Sequence, residues 1–270
     1  KKWGLDVVSD LPGVGENLQD HLDILSHYEC TQPVTDARHM MGPFGLGVVK
    51  QALILGQWAL TGTGPGNDIG LAALSFLKTD DSLDVPDIQM HFIGALLKDH
   101  GKTKPDQHCF SNHVCMLRPE SRGYIALKSL DPTAQPLIQP NYLSTQKDID
   151  VMVKGVKLSR EIINQKAFDD YRGAELNPGV EVQTDKEIEE FIRANAETIY
   201  HPVGTCKMGN DEFSVVDDKL RVRGVENLRV VDASVMPTLI GGNTNAPTIM
   251  IADKISDHIL GNEFLPAENF

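Results

Sequence analysis

No lysine- or arginine-rich run occurs in these 270 residues, and 25 basic side chains stand against 38 acidic ones, a formal net charge of −13. A surface of that sign repels a nucleic-acid backbone, so nucleic acid is excluded as a partner. A peripheral contact with a membrane through a local patch stays open. Long apolar runs are missing too. Stretches such as Leu71–Leu77 and Ile249–Ala252 fall far short of the roughly 20 residues that a spanning helix needs. Only four cysteines occur (Cys30, Cys109, Cys115, Cys206), with no CxxC pair. That excludes a disulfide scaffold and points to a reducing compartment. The expected location is cytoplasmic, with the inner membrane as the one surface for peripheral contact. Nine histidines include no HExxH spacing, so no metal is expected. There is no GxGxxG after a strand and no Walker loop, and Gly62, Gly64 and Gly66 alternate wrongly for either. The sequence also lacks an initiator Met and a signal peptide. It runs from Lys1-Lys-Trp3 straight into a glycine-rich motif, which reads as the middle of a longer chain or as a processed N-terminus.

What is present has the composition of a globular protein, 41% apolar and 23% charged. Asp6–Asp10 reads as a strand ended by Pro12. Pro43–Leu60 reads as a helix, apolar on most faces and therefore expected to be well buried. Ile69–Leu77, Ile88–Ile93, His113–Leu117 and Tyr124–Lys128 are short β-rich runs. The gaps between them are too short for repeated helical crossovers, so they are expected in one antiparallel sheet. Asp148–Ile163 and Asp185–Thr198 carry the spacing of amphipathic helices, the second capped by Thr184 or Asp185. Leu228–Asp232 reads as a buried strand. The helix Ile249–Leu260 follows, with Asn243 or Thr244 as its cap, Pro247 in its first turn and Gly261 just beyond its end. The fold class expected is α+β.

Three places hold residues suited to chemistry. The last helix is preceded by Gly241-Gly242, which leaves its N-terminal amides open to an anionic ligand, although spacing alone favours an ordinary capped helix. His201 precedes Pro202, which holds its backbone out of helix. A neutral imidazole there suits a general base, and equally a structural loop histidine. Asp20, His21 and Asp23 place carboxylates around an imidazole, or merely begin a surface strand. His91, His108 and His113 read as core or rim histidines, and Cys206 as a small buried hydrophobe.

Five segments taken in order resemble the glucose–methanol–choline oxidoreductase family. They are Leu11-Pro-Gly-Val-Gly-Glu-Asn-Leu-Gln-Asp-His21, Ser121-Arg-Gly-Tyr-Ile-Ala-Leu-Lys-Ser129, His201-Pro-Val-Gly-Thr-Cys-Lys-Met-Gly209, Val230-Val-Asp-Ala-Ser-Val-Met-Pro237 and Gly242-Asn-Thr-Asn-Ala-Pro-Thr-Ile-Met-Ile251. The resemblance implies a substrate-binding domain with a mostly antiparallel sheet flanked by helices, plus the C-terminal strand–helix portion of a Rossmann-like FAD-binding domain. It assigns 1–25 to a linker and flavin-proximal segment, 26–198 to the substrate domain, 199–262 to the flavin domain and 263–270 to a tail. It implies FAD as cofactor, an N-terminal half of the same protein upstream, an alcohol as substrate and a quinone-type or other electron acceptor. His201 and Asn245 match the family's catalytic pair. Asn17, Asp20, His21, Asp232, Ala233, Asn243, Thr244, Pro247 and Thr248 match flavin-side positions. Asp23 stands where choline-specific members tend to carry Glu. The expected activity is oxidation of a primary alcohol, with choline next, and a catalytically silent binding module as the alternative of another class.

Overall fold

The computed structural model describes residues 3–35, 46–64, 71–96, 107–263 and 266. The start of the expected first helix (43–45), the start of the first β-rich run (69–70), Gly66 and most of the expected tail lie outside the described residues. Two compact units emerge, each assembled from separate stretches of chain. The first comprises Lys1–His21, Leu117–Asp148 and Thr198–Phe270, and the second Leu22–Met116 and Ile149–Glu197.

The second unit is built on a sheet. Its strands are β1 (Leu22–Cys30), β2 (Ala73–Leu77), β3 (Ile88–Ile93), β4 (Cys109–Met116) and, further along, β7 (Arg172–Asn177). They run in the order β2-β3-β4-β1-β7, with antiparallel pairing throughout. The expected antiparallel sheet is therefore present. Its central strand β1 is buried along almost its whole length, because both faces are covered. On the face that carries Ile24, Val114 and Ile88, the last two meet the helix α2 (Gln146–Ile163). The contact is close: a Cβ placed on Gly155 would stand 2.7 Å from Val114 Cγ1. Asn112 also reaches Ser159 across that layer, at 2.8 Å. The opposite face is polar, carrying Asp23, His27, Ser111, His113, Gln89 and His91, most of them buried.

The helix α3 (Asp185–Asn195) starts in a capping box. Thr184 accepts from the Glu187 amide while the Glu187 carboxylate takes the Thr184 and Gln183 amides, satisfying donors that a helix start otherwise leaves open. It ends at Asn195, three residues short of the expected limit, and β8 (Glu197–Thr198) pairs with β1.

Several expectations are corrected. The helix α1 spans Leu46–Thr61, but Leu53, Leu55, Trp58 and Leu60 are exposed among the described residues. An apolar composition states how much surface seeks cover, not what provides it. Asp6–Asp10 forms no strand and Val8 is exposed, since no ladder partner is available among the described residues. Tyr124–Lys128 contributes only β5 (Tyr124–Ala126), which pairs with β6 (Leu137–Gln139) in a separate two-stranded ladder of the first unit.

Leu228–Asp232 is likewise not a strand. Arg229 makes one isolated bridge to Arg221, Leu228 is exposed, and Val230 and Val231 pack on Val215, Val216 and Leu220. The last helix, α4 (Asn245–Leu260), begins earlier than expected and closes on Gly261, whose φ of 75° is the left-handed conformation that glycine adopts freely. Thr244 precedes it but makes no side-chain cap. Its backbone is already helical (φ −84°, ψ −13°), whereas capping needs the extended region to swing the hydroxyl over the first amides.

Candidate active site

The first unit is held together by the segment Leu11–His21, which threads between two others. Leu18 exchanges backbone bonds with Gly123, and Gln19 does the same with Val203. Gly15 donates to Thr205 O and accepts from Ile125 N. Its φ of 84° and an Ile125 oxygen 2.1 Å from where a Cβ would sit leave room for no side chain. Gly204, at φ 96°, is closed in the same way by Asn17 O. Side chains then reach a fourth stretch. Asn17 donates to Gly204 O and Pro237 O, while Gln19 donates to Pro237 O and accepts from Leu239 N. The conspicuous motifs of the sequence are thus one knot of backbone.

His21 and His201 meet inside that knot. Their Nδ1 atoms are 2.9 Å apart, with the rings edge-on at 83°. Nε2 of His21 lies 3.2 Å from Leu117 O and 3.1 Å from Ile240 O. Burial, then the neighbouring His201, pull the His21 pKa down to about 4 against the opposing pull of the two carbonyls and Asp20. His21 is therefore a neutral imidazole at physiological pH.

Asp20, adjacent in sequence, does a different task. Its Oδ1 accepts from the His201 backbone amide at 2.9 Å, and Oδ2 accepts from the hydroxyls of Tyr142 and Thr198. The Tyr142 phenol is pushed well above its ordinary pKa by burial and by Asp20. The carboxylate thereby clamps the backbone beside Tyr200, which holds a left-handed φ of 65°. Asp20 and His21 are both buried, so the surface-strand alternative for this pair is overturned.

Of the other expected residues, Asn243, Asn245 and Ala246 are exposed at the start of α4, and Thr244 is buried. Thr248 Oγ1 and N both return to Thr244 O. Pro247 occupies the first turn, where its missing amide proton costs nothing. Asp232 caps a short 3₁₀ turn, Ala233–Val235, by accepting from Ser234 N and Oγ. Asp23 belongs to the second unit, where its Oδ2 takes a 2.6 Å bond from His113 Nδ1. Asp23 Oδ1 is buried with no hydrogen-bond partner among the described residues.

Sequence reasoning missed Gln19, Tyr142, Thr198 and Asp148. Asp148, also buried, accepts from Glu120 N, Ser121 N and Ser121 Oγ. These residues act through partners 27 to 220 positions away, so no local pattern marks them. Among the described residues no cluster of His, Cys, Asp or Glu suits a metal ion, and no helix is long and apolar enough to cross a membrane.

The chain is similar to several known proteins. A sequence profile described as GMC oxidoreductase matches residues 119–252. Over 266 residues the chain is 47% identical to the oxygen-dependent choline dehydrogenase of Acinetobacter baumannii (strain AYE), covering 98% of this chain and 47% of that protein. It is 45% identical over 266 residues to the enzyme of that name from Cronobacter sakazakii, covering 98% of this chain and 46% of that protein. Among solved structures, pyridoxine 4-oxidase from Mesorbium loti aligns with a TM-score of 0.78 at 26% identity, covering 97% of this chain and 46% of that one. Formate oxidase aligns with a TM-score of 0.86 at 23% identity, covering 96% and 49%, a likeness of fold. The chain spans about half the length of the curated relatives it matches.

Proposed function

Because this chain belongs to the GMC oxidoreductase family, we propose that it forms the substrate-side half of an FAD-dependent enzyme that oxidises a primary alcohol to the aldehyde. The observation that carries the reading is the buried His201, ring-paired to a neutral His21 and clamped at its backbone by Asp20. A histidine held in this way accepts a hydroxyl proton near neutral pH. Asn245, exposed at the first turn of α4, donates from its carboxamide to the oxygen as negative charge builds on it.

The chain's own features suit a flavin. The start of α4 carries no side-chain cap, Asn245 and Ala246 are exposed there, and a Cβ on Gly242 would meet nothing within 4 Å. Uncapped amides and the positive end of a helix dipole favour an anionic group. Asn243, Thr244, Pro247 and Thr248 at that helix start, with Asn17, Asp232 and Ala233, would hold it, whereas the buried Asp20 and His21 have their polar atoms engaged within the chain and act behind that surface on His201. FAD supplies the two-electron acceptor for the hydride that leaves the α-carbon.

Within primary alcohols, choline is favoured by the names of the relatives, oxygen-dependent choline dehydrogenases. A quinone-type acceptor is our reading for the electrons, with oxygen, named in those relatives, as the alternative outcome.

The test is anaerobic bleaching of flavin absorbance in the whole protein by choline and by short unbranched alcohols. Bleaching is expected, and His201→Ala should slow it by ~10²-fold or more. An unbleached flavin defeats the activity, an unaffected variant defeats the role of His201, and bleaching by unbranched alcohols alone removes choline. Reoxidation by air against a soluble quinone separates the acceptors.

A further inference from the structure

We propose that His21 is a positioning residue that fixes the tautomer of His201, obliging it to carry its ring proton on Nδ1 and so presenting Nε2 as the nitrogen that accepts the substrate proton. The inference rests on the reading of His201 as the base and deepens it.

A neutral imidazole has one N–H and one lone pair. Nε2 of His21 faces two backbone carbonyls, Leu117 O at 3.2 Å and Ile240 O at 3.1 Å. Carbonyls only accept, so the single proton of His21 sits on Nε2, shared between them. Nδ1 of His21 is then an acceptor. The 2.9 Å contact between the two Nδ1 atoms needs one proton, and only His201 can supply it. The hydrogen bond made by one ring nitrogen sets the state of the other, so the lone pair of His201 is on Nε2.

Two further features support this order. His21 is fully buried, and burial together with the adjacent His201 disfavours a second proton on it. Asp20 holds the root of the other ring by accepting from the His201 amide, so the rings meet at a fixed angle.

The pair is thus not a relay. When His201 takes a proton on Nε2, its Nδ1–H remains donated to His21 as a stronger, charge-assisted bond. Moving that proton on would require His21 to hold two.

The test uses the whole protein with FAD bound and ring-¹⁵N-labelled histidine. Ring-nitrogen shifts, and their couplings to the carbon-bound ring protons, identify which nitrogen of each ring is protonated near neutral pH. The expected pattern is His21 protonated on Nε2 alone and His201 on Nδ1 alone, with signals assigned by their loss in His21→Asn and His201→Gln. In His21→Asn the carboxamide oxygen still accepts, so His201 keeps Nδ1–H. In His21→Phe the acceptor is gone, a population of Nε2–H appears at His201, and kcat falls by about 10-fold while KM changes little, the scale on which removing the partner that orients a histidine acts. A bare Nδ1 on His201 in the native protein overturns the proposal, as does an unchanged tautomer in a folded His21→Phe. If His21→Phe does not fold, the native spectrum alone decides. If the spectrum is as expected while His201→Ala keeps full turnover, the catalytic reading falls and the hydrogen-bond order stands.

Discussion

His21 occupies a position where a polar ring costs stability unless it stays neutral. Its folded pKa is lowered to about 4 from an ordinary 6.5, so between those values the unfolded chain binds a proton that the folded one refuses. Stability then rises with pH across that window and is lost as pH falls from 6.5 towards 4. The shift corresponds to on the order of 3 kcal/mol. In His21→Asn this loss disappears. Denaturant titrations at pH 7 and pH 4 should show the variant's deficit shrinking by about 2–3 kcal/mol on acidification; a deficit that stays constant means that His21 is not the neutral buried group described.

Legibility at this scale was uneven. His201 stood out through its proline and small neighbours, and His21 through its motif. Their mutual contact joins residues 180 apart and is written in no local spacing. Asp20 was read together with His21 because they are adjacent, yet the two serve His201 from different atoms, one at its ring and one at its backbone.

Among the elements, α2 shows how packing overrules propensity. Gly155 sits in the middle of a helix, where alanine would ordinarily be better by about 1 kcal/mol. The methyl would arrive 2.7 Å from Val114 Cγ1 and 3.1 Å from Ile88 Cδ1, both fully buried side chains. Overpacking of that kind costs typically 1–3 kcal/mol. Gly155→Ala should therefore destabilise the protein, net by up to about 2 kcal/mol, measured as a lower urea midpoint; a raised midpoint shows that the layer can open.

The helices were legible because a half-buried helix writes its period into the sequence, and α3 added a capping box at Thr184. β1 was not read as a strand over its full length. It is central and covered on both faces, and Asp23, Ser26 and His27 break its apolar run. β7 was missed as well: Arg172-Gly-Ala-Glu-Leu-Asn177 holds few β-formers and pairs with β1 through register shifts. Such strands exist because of their neighbours.

For the whole molecule, the route of the chain matters more than any single element. It passes between the two units after His21, Met116, Asp148 and Glu197. On the first unit's side of those steps stand His21, Leu117, Asp148 and Thr198. His21 bonds to the Leu117 carbonyl, Thr198 to Asp20, and Asp148 to Ser121. Within the second unit the register sets Asp23 opposite Cys115, so the first long insertion, 22–116, returns its two ends side by side. Were that sheet to unfold alone, the first unit would have to close open loops over 22–116 and 149–197. Closure entropy grows only as the logarithm of loop length, yet each loop costs a few kcal/mol. That is a large share of the roughly 5–15 kcal/mol by which a domain is stable. A state with the His21–His201 pair intact and the sheet melted is therefore disfavoured. Histidine ring resonances followed through a urea titration should report one transition, with His113 of the sheet and His201 of the pair sharing a midpoint. If His201 keeps its native shift after His113 has reached its unfolded position, the units melt independently and the pair owes nothing to the sheet's register.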